Sequence, residues 1–93
     1  SRMILKIYKR EQQQVSPDSD ATEAIMVTET IDKIDRVSTR EFGDRYQDSE
    51  HKYVYFSSDN GVNWGFSIDL YDEDLVSAYL MNDRGQTVEI LKR

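Results

Sequence analysis

Residues 62–74, VNWGFSIDLYDED, join two patterns. Val62, Trp64, Phe66, Ile68 and Leu70 put an apolar side chain at every second position, the period of a strand with one buried face. Asp69, Asp72, Glu73 and Asp74 then make its exit acidic.

The preceding segment, KYVYFSS at 52–58, has the same alternation, and Asp59-Asn60-Gly61 lies between the two. A two-residue Asn60-Gly61 turn would set Phe56 opposite Gly65. A three-residue loop with Gly61 in the left-handed conformation pairs Ser58 with Val62, Phe56 with Trp64, Val54 with Phe66 and Lys52 with Ile68. The second register gathers the apolar residues on one face, and burial selects register. Tyr53 and Tyr55 then share the other face with Gly65 and Ser67.

Asn82-Asp83-Arg84-Gly85 repeats this turn chemistry. It predicts a second hairpin of 75–81 and 86–92, pairing Asn82 with Gln86, Leu80 with Val88 and Ala78 with Ile90. Asp72-Glu73-Asp74 would also open a helix well, with Leu75, Ala78 and Tyr79 on one face, so an α+β fold with one short helix is the alternative.

Toward the N-terminus, MILKIY at 3–8 reads as a central strand, apolar on nearly both faces. Residues 9–23 are polar, lack apolar periodicity, hold the single proline Pro17 and read as a long loop. Residues 24–30 are rich in β-branched side chains and read as a strand. Ile31, Ile34 and Val37 are spaced by three, which suits a helical turn, but a bend followed by a strand over 36–42 fits the Val-Ser-Thr content better. Residues 43–51 read as a polar loop. The fold class expected is mainly β: an antiparallel meander of about six strands forming a half-barrel or small sandwich. Its core would take Leu5, Ile7, Ile25, Val27, Val37, Val54, Phe56, Trp64, Phe66, Ile68, Val76, Leu80, Val88 and Ile90.

The length of 93 residues suits one domain. Absence of cysteine removes disulfides, thiolate metal sites and a cysteine nucleophile. No apolar run approaches the roughly 20 residues of a membrane span. Ser1-Arg2 reads as a cloning scar before Met3, and a cytoplasmic protein without membrane association is expected.

The net charge is −6, and residues 53–83 contain six acids and no Lys or Arg. Such a field repels phosphate backbones, which argues against direct nucleic-acid binding and for a basic protein surface as partner. Mimicry of DNA would need acids at phosphate spacing, whereas these cluster at turns.

Catalytic chemistry finds little purchase. His51 is the one histidine, reads as a solvated loop residue, and has no partner supplied by its neighbours. Nucleophile-elbow, phosphate-loop and EF-hand patterns are absent. No enzyme activity, cofactor or metal is expected. The candidate site is therefore a protein-binding surface made of Asp69, Tyr71, Asp72, Glu73 and Asp74 with Tyr53 and Tyr55, since tyrosine favours interfaces. A non-enzymatic module that docks a cationic partner follows, for instance as an accessory or inhibitor protein of a phage or mobile element. The alternative is a structural subunit that forms a β-sheet homodimer through exposed edges, with the N-terminal strand as one such edge.

Overall fold

A computed structural model of the chain describes residues 2–43, 50–58, 62 and 64–93. All regular elements among them are strands: β1 (Met3–Gln14), β2 (Thr22–Ile34), β3 (Arg36–Gly43), β4 (Glu50–Ser57), β5 (Trp64–Asp69), β6 (Leu75–Met81) and β7 (Thr87–Lys92). They form two antiparallel sheets, ordered β2-β1-β6-β7 and β3-β4-β5. The mainly β class is as expected, and the segment that might have opened a helix is strand β6. The order leaves a simple meander at one point, where β6 returns beside β1. That makes β1 a central strand from Ile4 to Lys9, flanked by β2 and β6.

The inner faces of the sheets meet over Leu5, Ile7, Ala78 and Leu80 from one side and Val54 and Phe56 from the other, with Ile34, Leu70 and Leu75 at the connections. Phe56 and Phe66 stack at 5.0 Å between ring centroids. Val37, Phe66 and Ile68 pack partly buried against this core, while Ile25 and Val27 are only half-buried.

β-Bulges explain where alternation misleads. Phe56 lies opposite Phe66, and Val54 opposite Ile68, but Ser57 lies opposite Trp64. Gly65 is thus an extra residue in β5, and one extra residue sends the next side chain to the other face. Trp64 is accordingly exposed (42%) instead of meeting Phe56. The predicted register is therefore shifted by two residues, with the same faces kept from Val54 to Ile68. The Asp59-Asn60-Gly61 turn itself falls outside the described residues.

The second hairpin closes as predicted: Asn82 N donates to Gln86 O (2.9 Å), Gly85 N donates to Asn82 O (3.1 Å), and Gly85 has φ of +79°. Beyond Met81–Thr87 the register slips twice, so Leu80 faces Glu89 and Tyr79 faces Ile90. Val88 (58%) and Ile90 (45%) are consequently exposed, and Leu91 packs on the core in their place. Val76 is also displaced outward, at a bulge where Tyr8 pairs with Ser77 and Lys9 with Leu75.

The spacing of three at Ile31, Ile34 and Val37 has the same origin. Leu5 pairs with Ile31 and Met3 with Ile34, so the chain carries an extra residue here, and Lys33 takes a positive φ of 62°. Asp35 then passes the chain from one sheet to the other, its amide donating to Ser57 O (2.9 Å).

The expected loop at 9–23 is largely strand. β1 pairs with β6 only as far as Lys9, whereas its pairing with β2 continues to Gln14–Thr22. The result is a two-stranded ribbon, Arg10–Gln14 against Thr22–Met26, capped by a turn in which Val15 N donates to Ala21 O (3.0 Å). Because neither face is buried, no apolar period marks it. The radius of gyration, 15.6 Å, exceeds the roughly 12 Å of a compact chain of this length. The expected loop at 43–51 is strand at Gly43, Glu50 and His51, and residues 44–49 fall outside the described residues.

Candidate protein-binding site

The acidic exit of β5 is a built corner. Asp69 ends the strand opposite Tyr53. Its Oδ1 accepts from the Lys52 amide (3.1 Å) and the Tyr71 amide (3.0 Å), and its Oδ2 lies 2.7 Å from His51 Nδ1. Leu70 N donates to Lys52 O (2.8 Å), which continues the ladder by one rung. Asp69 is thus committed to holding β4, β5 and the following turn together. Partial burial alone would raise its carboxyl. The hydrogen bonds from His51, Tyr71 and Lys52 outweigh that and hold its pKa below the ordinary carboxylate value.

Asp72 organises the next turn. Its amide donates to Asp69 O (3.1 Å), its Oδ1 accepts from Asp74 N (3.0 Å), and its carbonyl accepts from Leu75 N (3.1 Å) and Lys92 Nζ (2.8 Å). The Arg10 guanidinium donates to Glu73 O, and Arg10 N donates to Asp74 O (2.8 Å). Two cations distant in sequence therefore stand at the acidic turn. The cation-free stretch 53–83 is not a cation-free surface. Both cations meet backbone carbonyls, however, and no ion pair within 4 Å involves Glu73 or Asp74 among the described residues. Tyr71, Asp72, Glu73 and Asp74 are all exposed.

Below the corner a cleft of about 280 Å³ opens between the sheets. Ile7, Ile68 and Leu75 form its apolar walls, and Glu29, Asp69, Asp72 and Asp74 contribute carboxylates. Lys9 also lines it, bound to Glu11 (3.3 Å) and Glu29 (3.5 Å). The Glu11 hydrogen bond, with help from the Glu29 charge, raises the Lys9 pKa against the opposing effect of burial. No group of three or more His, Cys, Asp or Glu among the described residues is arranged to hold a metal ion. No described helix is long and apolar enough to cross a membrane.

Tyr53 and Tyr55 lie on the outer face of β4, both half-buried, opposite Asp69 and Ser67. His51 extends the row. Its ring stacks on Tyr53 at 5.4 Å and 19°, and Tyr53 meets Tyr55 at 6.1 Å and 46°. Rings stacked along one strand cover each other's faces. The structure thus brings Tyr53 and Tyr55 to the strand that borders Asp69, with Tyr71 and the three acids following in the turn. His51, read from sequence as a solvated loop residue, is a strand residue bound to Asp69. Its place two residues before Tyr53 is the signal that puts it on the same face.

No family model, curated protein or solved structure matches this chain.

Proposed function

We propose that this protein is a non-enzymatic interaction module that docks a cationic protein partner at the corner following β5. The observation that supports the reading is the division of labour in that corner. Asp69 is consumed by internal bonds that fix the turn, while Glu73 and Asp74 are exposed beside exposed Tyr71 and form no ion pair among the described residues. The adjoining cleft suits one basic side chain, whose aliphatic stem would lie on Ile7, Ile68 and Leu75 and whose head would meet Asp72 and Asp74, since Glu29 is paired with Lys9. Tyr53 and Tyr55 would supply the contact edge of the surface.

The test is affinity capture from the source cell with the wild type and with Asp72→Asn/Glu73→Lys/Asp74→Lys. Position 72 takes no cation, because the Asp72 side-chain oxygen accepts the Asp74 amide and an amide oxygen keeps that bond. Asp69 is left intact because its removal would disturb the fold. Loss of the captured basic partner in the variant supports the reading, and an unchanged partner set contradicts it.

A second reading, a homo-oligomer assembled through strand edges, draws on β5, an edge strand that carries exposed Trp64. Sedimentation of the wild type and of Trp64→Lys distinguishes it: a dimer that the substitution dissociates would favour assembly.

A further inference from the structure

The outer face of the four-stranded sheet differs in character from the acidic corner. In a two-layer sandwich such a face is ordinarily polar. Here the side chains of Tyr8, Tyr79, Met26, Val76 and Met81 line a shallow depression of about 490 Å³. Met26 is 55% exposed and Val76 38%. Tyr8 and Tyr79 meet edge to face at 6.1 Å. Lys6 also lines the depression, half-buried, with its Nζ 5.8 Å from the centroid of the Tyr8 ring. Its neighbours in register are Thr30 and Tyr79, neither of them acidic. Among the described residues no carboxylate lies within ion-pair distance of Lys6, in a chain with 18 Asp and Glu. No carboxylate among the described residues lines the depression.

The geometry points to a docking site for a protein segment that presents a carboxylate flanked by apolar side chains. The carboxylate pairs with Lys6, and the apolar groups cover Met26, Val76 and Tyr79. Charge complementarity selects this occupant over a second copy, because face-to-face association would bury two lysines with no acid to meet either. The openness of the face and the spread of exposed apolar groups across three strands suit a chain segment better than a small anion. This inference stands apart from the acidic-corner reading.

The three methionines make the test direct. Met26 and Met81 line the depression, and Met3 packs against the core. Methyl-labelled protein is titrated with a blocked hexapeptide of alternating Leu and Glu, and separately with its Leu-Lys counterpart. The expected result is saturable movement of the Met26 and Met81 signals, but not Met3, with the acidic peptide alone, and at least tenfold weaker binding to Lys6→Glu. Lys6→Gln serves as a second variant should Lys6→Glu not fold. No movement of the methyl signals, equal response to both peptides, or binding indifferent to both Lys6 variants overturns the inference. So does a dimer in sedimentation whose Met26 and Met81 methyls are already covered without peptide.

Discussion

His51 Nδ1 lies 2.7 Å from Asp69 Oδ2, and the other oxygen of the same carboxylate accepts the Lys52 and Tyr71 amides. One side chain thereby ties two strands and a turn. A carboxylate in hydrogen bonds of this kind contributes about 1.5–3 kcal/mol for each in favourable cases. Asp69→Ala should destabilise the fold by about 2–3 kcal/mol in urea unfolding, and Asp69→Asn by less, since an amide oxygen can still accept from the two backbone donors. Glu73→Gln, which removes no internal bond of the side chain described here, should stay within about 0.5 kcal/mol.

The pH dependence of stability follows from the same carboxylate. Its pKa in the folded state is lower than in the unfolded chain, where Asp titrates near 3.9. The contribution of Asp69 is therefore fully present above that value and is lost as the pH falls through the folded-state pKa. The stability difference between wild type and Asp69→Asn should shrink as the pH is lowered from about 4 to 2. Denaturant midpoints at a series of pH values measure it. A difference that grows between about pH 4 and 2 would contradict this assignment.

Leu80 and Val88 separate the core from a face that only resembles it. Both fit the alternation of the second hairpin, but Leu80 is 1% exposed and Val88 58%. Leu80→Ala should cost about 2–5 kcal/mol, and Val88→Ala no more than about 0.5 kcal/mol. Thermal and urea unfolding of the pair would decide between the bulged register and the regular one.

Gly85 holds a φ of +79° with open space around the position of a Cβ. The cost of a side chain there is conformational alone. Gly85→Ala should destabilise by about 1 kcal/mol, and Gly85→Asn by less, because asparagine tolerates the left-handed region. Equal, negligible effects in thermal unfolding would mean that the turn adopts another form.

The strand content, the second hairpin turn and most of the buried centre (Leu5, Ile7, Val54, Phe56 and Leu80) were legible because burial on one face leaves a period of two. The core positions misplaced at Trp64, Val76, Val88 and Ile90 share one physical cause. A bulge adds a residue without any mark in hydropathy, and Gly65, Val76, Lys33 and the slips along β7 each redirect the side chains beyond them. Ile34 and Leu75 entered the core through such irregularities. Residues 10–14 and 22–23 of the ribbon were read as loop because backbone pairing needs no apolar face. In the candidate site, the alternation put Tyr53 and Tyr55 on the face away from Val54 and Phe56. The predicted register set Tyr53 opposite Ser67, whereas it lies opposite Asp69. The internal commitment of Asp69 was not legible, nor was the approach of Arg10 and Lys92, which depends on contacts across 63 and 20 residues of chain.

Binding of a cationic protein at the acidic turn is the proposal on which the functional reading rests. Its most direct measurement is the equilibrium affinity of the captured partner for wild type and for Asp72→Asn/Glu73→Gln/Asp74→Asn, at low and moderate salt. Rim charges contribute about 0.2–1 kcal/mol each, and salt screens them. The account predicts that neutralisation weakens binding about tenfold at low salt, by an amount that falls as salt is raised, with the fold unchanged by circular dichroism. Equal affinities for the two proteins at low salt would contradict it.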